Sequence, residues 1–273
     1  MTARELFEYF RKDAHWVKAD SKADDIRFGD ENTEVIKVGC GWSDCLDNLI
    51  AAANDGCNVF ISHEVPFSWE TRYADITQME WYKKRVKVLS DSKMVLMNLH
   101  DTWDHYPKDG IREGFAQLLG LKELIKEMDY IHPFSPTVTT GMNSLGIYRI
   151  EKTTAGEFAK YMCQRIAQTG APGLCLNGDP DQTIETVAIG VGCHVPSLEA
   201  AANGAQLLID VYDRYFQLNS RIPLVESGLP VITVEHSIPE TYAMNLMAKH
   251  ISEKLGIESA YYHNEPLGKY YTT

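Results

Sequence analysis

The chain has 273 residues, with 26 Lys plus Arg against 38 Asp plus Glu, a net charge of −12, 44% hydrophobic residues and 23% charged ones. That length makes one large domain or two of ~100–200 residues each, and the composition excludes a disordered or fibrous chain. The acidic balance repels phosphate backbones, which excludes general nucleic-acid binding and attachment to an anionic membrane face.

The opening stretch, Met1 to Trp16, is charged throughout and holds no apolar run of signal-peptide length, and no segment reaches the ~18 apolar residues of a membrane span. The six cysteines form no CxxC pair. They read as reduced, mostly buried thiols of a cytoplasmic protein.

Glu5 to Phe10 reads as a short amphipathic helix, followed by a polar stretch from Lys18 to Asn32. Val35 to Gly41 is an apolar run ending at glycine and predicts a buried strand. Asp44 to Gly56 has helical periodicity, with Leu46, Leu49, Ile50 and Ala53 on one side. Cys57 to Ser62 predicts a second strand that runs into His63. Strand, helix and strand in this order imply a parallel pair. A helix over Thr77 to Ser90 leads to a third strand, Met94 to Leu99, which runs into His100; the helix Ile111 to Leu119 follows, stopped by Gly120.

Tyr130 to Asn143 is rich in Pro, Thr and Gly and reads as a domain connection. Beyond it the pattern predicts the strand Ser144 to Ile150 and the helix Ala155 to Gln168, entered through a Thr-Glu capping box. A Gly-Pro loop from Gly170 to Asp181 precedes the strands Thr186 to Val191 and Ala205 to Val211, with the helix Ser197 to Asn203 between them. The last strand, Pro230 to Glu235, runs into His236, and the helix Glu240 to Leu255 follows.

The chemistry sits where these strands end. His63-Glu64, His100-Asp101-Thr102-Trp103-Asp104 and His236-Ser237-Ile238-Pro239-Glu240 each place carboxylates beside a histidine, and the last two use a four-residue spacing that shares one helical face. Imidazole with carboxylate suits Zn, Mn, Fe, Co or Ni. His63-Glu64 is not the start of a zincin helix, because Phe67 stands where the second histidine would be. Taken singly, each block reads more readily as an ordinary histidine at a strand end than as a ligand; together, on the strands of one sheet, they read as a metal site.

The three blocks, in this order, resemble the Nif-three-like family, often described as GTP cyclohydrolase I type 2 homologues. Val35 to Phe67 is similar to that family's opening strand-helix-strand with its Ser/Thr-His-His-Pro block. His100 to Asp104, then Gly110-Ile111 and Ala116 to Leu121, is similar to its His-Thr-Asn-Leu-Asp block and the helix after it. His236 to Glu240 is similar to its closing Gly-His-Tyr-x-x-Glu block, and Leu145 to Gly192 to its middle domain.

The resemblance implies an α/β protein of two domains with mostly parallel or mixed sheets flanked by helices, a dinuclear metal centre at strand carboxyl ends, and a toroidal homohexamer. Residues 1–129 and 229–273 would form the metal-binding domain, with 130–228 inserted. The ligands would be His63, Asp104, His236 and Glu240, with Glu64 standing where many members have a second histidine and Glu240 as the candidate bridge. His100 would be the proton-moving group beside them. The implied activity is metal-dependent hydrolysis of a small molecule through a metal-bound water; the competing reading is a non-catalytic metal-binding scaffold or regulatory partner. Departures are Glu64 itself, Glu235 for Gly, Pro239, and Ile209 to Arg214 in place of a Thr-Gly-Asp-x-x-His-His block.

Other features read more plainly. Trp69, Tyr73, Trp81 and Tyr82 suit a core or a subunit interface better than a stacked substrate, whereas Trp103 is the better substrate-facing aromatic by position. Gly190-Val191-Gly192 is a fragment of a phosphate-binding turn, Tyr261 to His263 and Tyr270-Tyr271 read as interface or tail, and Cys193-His194 is a weak metal pair.

Overall fold

A computed structural model describes residues 1–64, 75–129, 144–191, 195, 197–212, 222–224 and 226–264. Within these, residues 1–103 with 244–264 make one compact unit, and 104–129 with 144–243 make the other. The protein is α/β, with two mixed sheets flanked by helices.

The first unit opens with α1 (Ala3–Arg11), whose first turn is closed by a capping box. Thr2 accepts from the Glu5 amide, and Glu5 accepts from the Thr2 amide. Leu6, Phe7 and Phe10 form its buried stripe. Five strands follow the order β1 (Asp25–Phe28), β4 (Val95–Asn98), β3 (Val59–Glu64), β2 (Lys37–Ser43) and β11 (Glu258–Tyr261). All neighbours are parallel except β1 against β4.

The helices α2 (Leu46–Asn54) and α3 (Glu80–Asp91) are the crossovers that parallel pairing requires. Leu49, Ala52, Phe60, Leu89 and Leu96 pack together between them and the sheet. Alternation sends Val59, Ile61, Val95 and Met97 to the opposite face, where they are buried too, so these strands are apolar throughout. Gly39 is required here: a Cβ on it would lie 2.7 Å from the Phe60 ring. Ile50, expected on the buried side of α2, is 39% exposed.

The second unit holds the order β5 (Glu123–Met128), β6 (Leu145–Thr154), β8 (Thr183–Gly190), β9 (Leu207–Val211), β10 (Val231–Val234) and β7 (Cys175–Asn177). Only β8–β9 and β9–β10 are parallel. Val187, Ile209 and Ile232 face a core with Phe115 of α5 (Ile111–Leu119) and Phe158 of α6 (Ala155–Ile166). Ala188, Leu208 and Val231 turn to a second core with Ala200 of α7 (Ser197–Ala202). The Thr154 cap expected for α6 is present, its hydroxyl accepting from the Glu157 amide at 3.2 Å.

One sheet carrying all three histidine-bearing strands was expected, and here the structure differs. β10 pairs with β9 and β7, not with β3 or β4. The final helix, α8, begins at Ser237 and runs to His250, earlier than the expected start at Glu240. The expected connection at 130–143 lies outside the described residues.

Candidate metal centre

His63 is the fifth residue of β3 and fully buried, with Glu64 closing the strand. The neighbouring β4 ends at Asn98, which registers with Ser62, so His100 emerges beside His63 at the carboxyl edge of the sheet. Asn98 ties the two strand ends together through its side-chain amide, which donates to the Ser62 carbonyl at 2.9 Å and also to the His63 carbonyl. The two imidazoles stack with centroids 4.4 Å apart and planes 9° from parallel. His100 Nδ1 lies 2.9 Å from Asp101 Oδ1, and Nε2 faces Glu64 Oε1 at 3.8 Å.

Asp104 closes the single-turn helix α4 (Asp101–Asp104) that follows His100. His63, His100 and Asp104 each offer one ligand atom, all within 4.8 Å of one another. Two ring nitrogens and a carboxylate oxygen form a donor set that fits a borderline divalent cation.

The turn that presents this set is held from below. Asp24 accepts from the Thr102 amide at 3.1 Å and its hydroxyl at 2.6 Å, and from Arg11 Nη1 at 2.9 Å. Burial pushes the Asp24 carboxyl up, and the Thr102 hydrogen bond opposes that shift. Trp16 donates its indole N–H to the Asp101 carbonyl at 2.9 Å. Asp24 lies in the polar segment that carried no functional signal, and pattern reading missed it. Asn98 did carry one, as a polar residue ending an apolar strand.

In the second unit, His236 follows β10, and its Nε2 lies 3.0 Å from Glu240 Oε1. The four-residue spacing thus brings histidine and carboxylate together across the first turn of α8, with Glu240 1% exposed. The pair stands at the carboxyl end of a strand parallel to β9.

Beside Glu64, one residue beyond its register partner Ser43, Asp44 is fully buried against Arg85 at 3.2 Å. Burial raises its carboxyl to about 6, with Arg85 opposing the shift. Among the described residues its Oδ2 has no hydrogen-bond partner.

Trp103 does not face a substrate. It is fully buried, edge-on to Phe10 at 5.8 Å and to His250 at 6.3 Å, because the short turn of α4 directs its third residue into the core. Gly190 is a strand residue of β8 packed against Val195 rather than part of a phosphate turn. Trp81 is 41% exposed under the Arg85 guanidinium, and Tyr262 packs beside Phe60. Trp69, Tyr73, Gly192, Cys193, His194, Asp213, Arg214, Tyr270 and Tyr271 lie outside the described residues. A groove of about 690 Å³ in the second unit is lined by Gly120, Lys122, Arg149 and Tyr161 among others, and by no residue of the histidine blocks.

The profile of Duf34/NIF3 (NGG1p interacting factor 3) matches residues 1–265. The chain belongs to this family. Solved structures similar to this NIF3 member include protein ybgI, described as of unknown function, at TM-score 0.75 and 17% identity, covering 96% of this chain and 98% of that one. A Bacillus cereus protein related to NIF3 matches at TM-score 0.75 and 15% identity over 100% and 99% of the two chains. Reduced HcgD from Methanocaldococcus jannaschii matches at TM-score 0.65 and 19% identity over 96% and 97%. These likenesses establish the NIF3 fold. No curated protein matches the chain by sequence. Among the described residues no helix is long and apolar enough to cross a membrane.

Proposed function

We propose that this NIF3-family protein holds two divalent ions and is a metal-dependent hydrolase of a small molecule. The observation that carries this reading is the approach of His63 and Asp104 to within 4.8 Å, with His100 beside both, at the carboxyl ends of adjacent parallel strands, where ligands of α/β sheets gather. The ligands in this reading are His63, Glu64, Asp104, His236 and Glu240. His236 and Glu240 join because they stand at a strand carboxyl end themselves. Ions held there would supply Lewis acidity and lower the pKa of water toward neutral.

In this reading His100 moves the proton. Its contact with Asp101 fixes the ring and turns Nε2 toward Glu64, the orientation a proton carrier needs at the edge of the site. A carboxylate at Glu64 rather than a second histidine makes the donor set more anionic and favours harder ions such as Mn. Five described cysteines are free thiols, in keeping with a cytoplasmic home. A homohexamer belongs to the same reading.

Elemental analysis of the protein purified with added Mn or Zn tests it, followed by anomalous scattering to place the ions. Two ions per chain are expected, and protein that takes up neither metal overturns the reading. His100→Gln should keep the ions and lose turnover of a hydrolysable substrate. If it loses an ion, His100 is a ligand instead. The family description as an interacting factor favours the second reading, a non-catalytic scaffold. Under that reading, His63→Ala and Glu240→Gln would fail to fold or assemble rather than fold without turnover.

A further inference from the structure

Helix α3 carries a stripe that the metal reading leaves unused. Trp81, Arg85 and Leu89 stand four residues apart and share one face of the helix. Leu89 is fully buried with Phe60 and Leu96 between α3 and the sheet, whereas Arg85 is 9% exposed and Trp81 41%. A crossover helix runs back against its parallel strands, so each step from Leu89 toward Trp81 is a step toward the carboxyl edge of the sheet. The stripe therefore starts in the core and surfaces at the edge that carries His63 and Glu64. Phe60, Ser62 and Glu64 alternate onto one face of β3, the face that α3 covers.

Arg85 is held there as an oriented fork. Its Nη1 donates to Asp44 Oδ1 at 3.2 Å, and its guanidinium lies over the Trp81 ring, 5.5 Å from the centroid. Asp44 directly follows β2, one residue beyond the register partner of Glu64. Neighbouring strands stand ~4.8 Å apart, which puts this anchor beside the histidine-bearing edge. Asp44 Oδ2 has no hydrogen-bond partner among the described residues, so the pair is a single contact and not the two-pronged one that best closes a buried ion pair. Arg85 Nε and Nη2 likewise make no hydrogen bond among the described residues, and the side chain keeps 10% of its surface exposed. Those two N–H groups point the same way in a guanidinium and grip two oxygens of one carboxylate or phosphate at once. Asp44 does not cancel the charge of Arg85 outright, because it also lies in the field of Arg27.

We propose that Arg85, positioned by Asp44 and Trp81, is an anion-binding subsite at the carboxyl edge of the first sheet, taking a carboxylate or phosphoryl group of the substrate. That the anion belongs to a substrate rests on the metal reading; that Arg85 binds an oxyanion does not. A donor set rich in carboxylates repels an anionic substrate, and a fixed guanidinium beside it offsets that repulsion.

Calorimetric titration of the full chain, purified with added Mn or Zn, with inorganic phosphate and with acetate tests it, beside elemental analysis of every sample. Saturable binding of at least one anion is expected; phosphate alone assigns a phosphoryl group, and acetate held as tightly assigns a carboxylate. Arg85→Lys keeps a positive charge against Asp44 but loses the fork, and should weaken binding roughly tenfold at unchanged metal content. Trp81→Leu, on an exposed side chain, should weaken it about threefold by freeing the guanidinium. Wild-type protein that binds neither anion overturns the proposal, as does Arg85→Lys that binds like wild type. Binding that follows metal content and not Arg85 puts the anion on the ions and overturns it too. If circular dichroism shows Arg85→Lys unfolded, unchanged binding in Trp81→Leu overturns the proposal by itself. Protein that takes up no metal, yet loses phosphate with Arg85→Lys, would sink the metal reading and leave this one standing.

Discussion

The imidazole rings of His63 and His100 lie face to face, 4.4 Å apart at their centroids and 9° from parallel. In the register that sets Ser62 against Asn98, His63 is level with Leu99, so His100 leans over it from one residue further on, beyond the end of β4. Asn98 fastens the two strand ends together. The stack thus needs both the sheet beneath it and the turn that follows β4.

Removing one ring tests that dependence. His63→Ala should lose at least one metal ion per chain by elemental analysis, with the far-UV circular dichroism retained. Full metal content in this variant would remove His63 from the site.

Asp24 is the clasp of the α4 turn. Asp24→Ala withdraws the acceptor from the Thr102 amide and hydroxyl and removes the carboxylate partner of Arg11, whose side chain is 15% exposed. A loss of ~2–4 kcal/mol in urea unfolding is expected. Affinity for Mn or Zn should fall roughly tenfold, the usual cost of releasing a group that orients a ligand. An unchanged affinity would show that Asp104 holds its place without this clasp.

Asp44 makes stability depend on pH. Its carboxyl is raised to about 6 by burial, from an ordinary value of 3.8, so the folded chain binds this proton more tightly than the unfolded chain. The stabilisation is full below pH 3.8 and is lost as pH rises through about 6. Between these limits the wild type should lose ~3 kcal/mol relative to Asp44→Asn. Denaturation of both proteins at several pH values checks this, and a constant difference refutes it.

Gly39→Ala should destabilise the first unit by about 1–3 kcal/mol, because the new methyl group meets the Phe60 ring. In combination with Phe60→Leu the penalty at Gly39 should shrink, a coupling that a double-mutant cycle measures. Additive effects would mean that the ring already moves aside.

Much of this was legible in the sequence. β2, β3, β4, β9 and β10 are apolar runs because both faces of their sheets are covered, and each histidine block follows such a run. The strands that pattern reading missed are edge strands or short ones. β5 has no fully buried residue, β7 has three residues, and β1 and β11 are at best half-buried, so none carries an apolar period. Trp103 was misread because a lone aromatic in a polar block has no periodic neighbours to show which way it points.

The sequence by itself determined the family, the α/β class and the local pairing of His236 with Glu240, because helical spacing is a short-range property. Only the tertiary structure decided that β10 joins β9 rather than β3, that Asp24 clasps the α4 turn, and that Trp103 is core. Strand partners and buried ion pairs are chosen by groups distant along the chain competing for the same surface. No short period of residues records the outcome of that competition.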